Sequence, residues 1–69
     1  NHKSRLIEWT QKNHKPIEFK LVSEELRKEG AFFVSEVYID NLLYGVGDGF
    51  SKRESQQKAA RQALSKLGL

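Results

Sequence analysis

The sequence contains no cysteine. That excludes a disulfide framework, and with it any zinc site that needs thiolates. His2 and His14 flank the first helical segment with no third ligand nearby, so they are read as surface residues rather than metal ligands. No apolar run approaches the roughly 20 residues that cross a bilayer, and no stretch has the layout of a signal peptide. The expectation from these absences is a soluble, cytoplasmic protein. Repeats, linkers and low-complexity segments are also missing. The 69 residues suffice for one domain, residues 1–69. A chain of this size buries only about 60% of the surface its unfolded form exposes, so its stability should be modest.

What is present is an uneven charge distribution. Twelve Lys and Arg stand against nine Asp and Glu, a formal net charge of +3, and the pI is near 9.4. Glu18, Glu24, Glu25, Glu29 and Glu36 fall in the first half of the chain. Beyond Gly49, Lys52, Arg53, Lys58, Arg61 and Lys66 face Glu54 alone. A positive field confined to one side of a small fold suits a polyanionic partner.

The opening segment NHKSRLIEWTQKNHKP reads as a short amphipathic helix. Asn1 is placed to cap it, Leu6, Trp9 and Thr10 share a face, and the single proline, Pro16, forbids continuation. Trp9 is expected to fill the core beside the last helix. IEFKLV (17–22) alternates apolar and polar residues with the period of a strand. SEELRKEGA, with no apolar face, reads as a charged connection ending in the turn residue Gly30. FFVSEVYI is a second strand, expected to turn Phe33, Val37 and Ile39 inward and Val34, Glu36 and Tyr38 outward. Asp40 and Asn41 both tolerate the left-handed backbone of a tight hairpin. In the third strand, LLYGVGDG, alternating glycines suggest that another element lies close against that face.

The last helix begins at Ser51. Ser51 and Glu54 have the S-x-x-E spacing of a capping box. Ser55, Ala59, Ala60, Ala63, Leu64 and Leu67 form one small-to-apolar stripe, while Lys58, Arg61, Gln62 and Lys66 lie off it. Lys52 and Arg53 occupy the first turn, with Gln56 one turn on. The helix dipole disfavours cations there and favours an anion, so the basic pair calls for a functional reason. The whole pattern predicts an α+β domain in which two helices pack on one face of a three-stranded antiparallel sheet.

The run Gly47-Asp48-Gly49-Phe50-Ser51-Lys52-Arg53-Glu54-Ser55-Gln56-Gln57-Lys58-Ala59-Ala60 resembles the third signature region of double-stranded-RNA-binding domains, and most of all that of the C-terminal domain of bacterial ribonuclease III enzymes. RLIEWTQ is similar to the first-helix region of the same family, so the resemblance covers nearly the whole chain. It implies an α-β-β-β-α fold that binds A-form duplex RNA by shape, largely without regard to sequence. By similarity Lys52 and Arg53, next to the capping Ser51, are the two leading basic residues of a Lys-Lys-x-Ala-Lys motif whose third basic position is here Gln56. Glu8 matches the family's acidic residue on the first helix, where a carboxylate would accept from a 2′-hydroxyl or a guanine amino group. Ser4 falls where relatives carry a hydroxyl. Ile7 departs from the pattern, since a polar residue commonly precedes the Glu. The connection Leu26–Ala31 also departs: the usual Gly-Pro-x-His is absent, leaving Arg27, Lys28 or the backbone near Gly30 to take its place.

Other readings fare less well. A phosphate-binding loop after Gly45-x-Gly47-x-Gly49 would need Gly-Lys before Ser or Thr, and Phe50-Ser51-Lys52 stands there instead. A protein-interaction or dimerisation module of the same fold is the main alternative, with exposed Phe50 and Tyr44 in its favour and the retained basic pair against it. Two-metal hydrolysis needs clustered carboxylates, yet Asp40 and Asp48 lie at opposite ends of one strand and Glu54 is committed to the cap. No catalytic residue, metal or cofactor is therefore assigned to this chain. The resemblance implies a parent enzyme with a separate, dimeric, Mg2+-dependent nuclease domain that processes duplex RNA such as rRNA precursors, the RNA-binding domain itself being a monomer.

Overall fold

The computed structural model describes residues 1–69, in the order α1 (His2–Lys12), β1 (Ile17–Arg27), β2 (Gly30–Ile39), β3 (Leu42–Gly49) and α2 (Lys52–Lys66). The strands form one antiparallel sheet in the order β1-β2-β3. Both helices lie on one face of it, and their shared core joins Leu6 of α1, Val37 and Ile39 of β2, and Ala59, Ala60, Ala63 and Leu64 of α2. The expected two-layer α+β architecture is the one observed.

The short-range signals act as read. The Asn1 side chain accepts a hydrogen bond from the Ser4 amide at 2.8 Å and so caps α1. Asp40 and Asn41 both take positive φ, 52° and 63°, which is the backbone of a two-residue type I′ hairpin. Gly45, Gly47 and Gly49 line the face of β3 on which α2 lies. A Cβ at Gly45 would strike the carbonyl oxygen of Ala59, and one at Gly47 would strike the amide of Ala59 and the carbonyl of Ser55. Those are backbone atoms, which cannot swing aside as a side chain can. The glycine row thus sets how close α2 sits to the sheet.

Three expectations need correction. The inward face of β2 is carried by Ser35, Val37 and Ile39, whereas Phe33 is only half-buried. Ser35 tolerates burial because its Oγ lies 2.7 Å from the Oγ of Ser55, which in turn donates to the carbonyl of Lys52 at 2.7 Å. Ser55 has only one proton to give, so Ser35 is the donor between the two hydroxyls. Trp9 does not fill the core. It is half-buried at the rim, in a shallow cleft with Leu64 and Leu69, while Leu6 and Thr10 take the interior positions of α1.

The largest correction concerns the charged connection. Ser23 to Arg27 continue β1 and pair with Val34 to Gly30, so only Lys28 and Glu29 form the turn. Val22 is the extra residue of a bulge between the pairs Leu21–Ser35 and Ser23–Val34. β3 ends opposite Phe33, and the last three pairs of β1 and β2 form a two-stranded ribbon beyond it. The Arg27 guanidinium stacks over the Phe32 ring at 3.7 Å and lies 3.3 Å from Glu25, and Phe32 meets Phe50 edge-on at 5.1 Å. The ribbon elongates the molecule to 41 × 21 × 16 Å, with a radius of gyration of 12.1 Å against about 11 Å for a compact chain of this length.

The free edge of β3 is occupied by side chains of α2. The Val46 amide donates to Gln62 Oε1 at 2.7 Å, and Lys66 Nζ donates to the Leu43 carbonyl at 3.4 Å. Gln62 and Lys66, which lie off the packing stripe of α2, therefore shield a strand edge.

Candidate nucleic-acid interface

The start of α2 is built from the sheet upward. Gly49 leaves room for the Glu54 side chain to lie over the end of β3. From there Glu54 Oε1 accepts from the Phe50 amide at 3.2 Å, while Ser51 Oγ accepts from the Glu54 amide at 3.0 Å. The capping box is thus not fully reciprocal, because Glu54 reaches the residue before Ser51 rather than Ser51 itself. Ser51 holds an extended backbone, φ −144° and ψ 155°, as a cap does. Lys52 and Arg53 follow, both exposed. The four ion pairs of the molecule involve Lys15, Lys20, Arg27 and Lys58, so neither cation of the first turn is neutralised.

Gln56 lies one turn along the same side of α2 and is half-buried. Its Oε1 accepts from Lys3 Nζ at 2.7 Å, and the neighbouring Gln57 Oε1 accepts from the Lys3 amide at 3.2 Å. These contacts pin the first turn of α1 to the first half of α2. Lys58, two residues beyond Gln56, is drawn to Asp48 Oδ1 at 3.3 Å and does not extend the free positive row.

On α1, Ser4 and Glu8 are exposed and one turn apart, on the side opposite Leu6 and Thr10. Glu8 also lines the cleft that holds Arg5, Trp9, Gln11 and Lys12. Lys28 and Gly30 stand at the ribbon tip, three residue pairs beyond the last pair with β3. Gly30 has φ 130°, and a Cβ there would meet nothing within 4 Å, so only backbone conformation asks for glycine. The structure therefore joins Ser51, Lys52, Arg53 and Gln56 in one row, places Ser4 and Glu8 on the adjacent helix, and holds Lys28 and Gly30 apart. Reasoning from sequence missed Lys3, whose link to Gln56 spans 53 positions.

The one titration shift lies elsewhere. The Tyr38 hydroxyl donates to the Glu36 carboxylate at 2.8 Å on the outer sheet face, and this bond, more than burial or the charges of Glu36 and Glu18, raises its phenol above the usual value. No group of three His, Asp or Glu side chains comes together as a metal site. No helix is long and apolar enough to cross a membrane.

A family model described as the double-stranded RNA binding motif matches residues 2–67, and the chain belongs to that family. It is 48% identical over 68 residues to Ribonuclease 3 of Bacteroides fragilis, covering 97% of this chain and 23% of that protein. Ribonuclease 3 of Clostridium perfringens is 43% identical over 67 residues, covering 96% and 28%. The chain thus spans about a quarter of the length of the curated relatives it matches. Among solved structures, Arabidopsis HYL1, described for its implications for miRNA processing, superposes with a TM-score of 0.83 at 33% identity, covering 99% of this chain and 97% of that one. The fifth double-stranded-RNA-binding domain of Staufen, in complex with Miranda, shares the fold with a TM-score of 0.77 at 24% identity, covering 99% and 96%.

Proposed function

We propose that residues 1–69 are the duplex-RNA-binding module of a ribonuclease III-type endoribonuclease. The observation that carries this reading is the pair Lys52 and Arg53, exposed and unpaired at a capped helix start. The major groove of A-form RNA is too deep and narrow for side chains, so a module of this kind grips the phosphates across it and enters the minor groove on either side, over about 16 base pairs. Lys52 and Arg53, with Ser51 and Gln56 beside them, take the phosphates. Ser4 and Glu8 reach 2′-hydroxyls in one minor groove, and the Lys28–Gly30 tip addresses the next. The elongated shape of the domain supports such a span. Binding by shape leaves little sequence preference. The interaction-module alternative gains from exposed Phe50 but not from Tyr44, which is half-buried against the core rather than exposed, and it leaves the free basic pair without a role. In the parent enzyme, this monomeric module would deliver duplexes such as rRNA precursors to a separate, homodimeric, Mg2+-dependent nuclease domain in the cytoplasm.

The test compares RNA and DNA duplexes of about 20 base pairs, titrated at two salt concentrations. If phosphate charge alone drove binding, B-form DNA would serve equally, being a dense line of charge itself. Loss of several hydrogen bonds, at about 0.5–1.5 kcal/mol each, should weaken DNA binding at least about tenfold. Equal affinity at both salts would reduce the domain to a non-specific basic patch.

A further inference from the structure

The basic row of α2 has a neutral residue, Gln56, on the same side as Lys52 and Arg53, one turn away from them. The cation nearest that position comes from the other helix. Lys3 Nζ sits 2.7 Å from Gln56 Oε1 and 5.1 Å from the centroid of the Phe19 ring. Neither partner carries a negative charge. A carboxamide oxygen and an aromatic face orient an ammonium without cancelling its field, and an ammonium has three donors, two of which Gln56 leaves unused. The Lys3 amide is held as well, by Gln57 Oε1 at 3.2 Å, so the stem starts from a fixed point.

Lys58 makes the contrast. It lies on α2 itself, two residues past Gln56, and by sequence is the natural candidate to extend the row. Yet its ammonium is 3.3 Å from the Asp48 carboxylate, and a phosphate would have to compete with that pair. Of the two lysines near Gln56, the one remote in sequence has no carboxylate paired with it.

We propose that Lys3 supplies the third phosphate contact of the α2 row, its ammonium held in place by Gln56, so that a side chain of α1 completes the clamp begun by Lys52 and Arg53. This rests on the reading of the domain as a duplex-RNA binder. It gives Gln56 a definite part, as a positioning residue for a cation rather than a weak ligand of its own. It also couples the two helices, since the contact exists only while α1 stays docked on α2.

The experiment measures the affinity of a 20-base-pair RNA duplex between about 50 and 200 mM salt for the wild-type chain, Lys3→Met, Lys58→Met and the double variant Lys3→Met with Gln56→Lys. Each neutralised phosphate contributes about 0.7–0.9 to the slope of log affinity on log salt, which is about threefold over that range. Lys3→Met keeps an unbranched stem against Phe19, and an unchanged thermal melt verifies the fold. Its salt slope should fall by about one contact and its affinity at the lower salt by about threefold or more. Lys58→Met removes the same unit of charge and should leave the slope near wild type. The double variant should recover the lost slope, because Gln56→Lys puts an ammonium back on the α2 row. If the wild type binds RNA and Lys3→Met keeps its slope, Lys3 is not a phosphate contact while the RNA-binding reading stands. If the slope falls but Gln56→Lys does not restore it, Lys3 lies on the RNA elsewhere and the assignment is overturned. If the wild-type chain binds no duplex RNA, both readings fall together.

Discussion

The start of α2 and the tip of the β1–β2 ribbon are both assigned to the proposed interface, but they are held in place by different means. Beneath α2 lie buried glycines of β3 against Ser55, Ala59 and Ala63, with the Ser35–Ser55 hydroxyl pair among them. Lys52 and Arg53 are consequently rigid at their base and free only at their ends. Every residue from Leu21 to Glu29 is exposed, and the ribbon beyond Phe33 is held by strand pairing, one cation–aromatic stack and one aromatic edge contact. The first region is placed by the whole fold and the second by its own turn. A clamp that must match fixed phosphates needs the first kind of support, whereas a probe for an adjacent groove can adapt to what it meets.

Replacing glycine by alanine at both places isolates the two kinds of support. Gly47→Ala should have the largest effect of any single change considered, because the new methyl would collide with the backbone of Ala59 and Ser55 and with Lys58 Cβ at 2.7 Å. Relief requires α2 to move away from the sheet, opening the core. Overpacking of this order costs about 3 kcal/mol, which for a domain of this size lowers Tm by roughly 12–24 °C. Differential scanning calorimetry reads it directly. A Tm within a few degrees of wild type would show that the row of glycines does not set the spacing of α2.

The second change tests binding without touching packing. Lys52→Ala with Arg53→Ala should remove about two phosphate contacts, lowering the salt slope by about 1.4–1.8. Both side chains are exposed, so the thermal transition should shift by no more than about 0.5 kcal/mol. Lys28→Ala, at the exposed tip, should weaken binding less than the paired change on α2. Fluorescence anisotropy with a labelled duplex measures all of these. A larger loss from Lys28→Ala than from the α2 pair would invert the comparison and make the ribbon tip the principal anchor.

The same division explains what could be read from the sequence. Where a local chemical need selects a residue, the residue announces it: Asn1 and Ser51 as caps, Asp40-Asn41 as a left-handed turn, and the glycine row as a surface for close packing. The two-layer fold and the basic row followed from those signals. The outer part of β1 left no such trace. Ser23 to Arg27 are exposed on both faces, so no alternation of apolar and polar residues is required of them, and their strand character comes from pairing with β2 alone. The buried hydroxyl of Ser35 was hidden because its partner lies 20 positions away, and Lys3 because its partner lies 53 away. Trp9 was misplaced for a different reason. An aromatic at helical spacing from Leu6 suits the rim of a core as well as its centre, and here Leu6 and Thr10 take the centre.

Gly30→Ala completes the comparison and should have a far smaller effect than Gly47→Ala. The φ of 130° at Gly30 lies where side chains are strained, at about 1–3 kcal/mol if the backbone could not respond. Yet nothing lies within 4 Å of the added methyl, and the turn Lys28-Glu29 has no packing to lose by rearranging. The strain should therefore relax locally. The loss in stability is expected to stay near or below about 1 kcal/mol, a Tm shift of no more than about 4–8 °C, against the far larger loss from the identical substitution at Gly47. The salt slope should not change, because no charge is altered, while RNA affinity should fall only as far as the reshaped tip fits its groove less well. Hydrogen exchange sharpens the distinction: amides of Leu26 and Ala31 should exchange faster in Gly30→Ala, while those of Val37 and Ala59 keep their wild-type protection. A global loss of protection would mean that the ribbon tip is tied to the core after all, and that the two regions are supported in the same way.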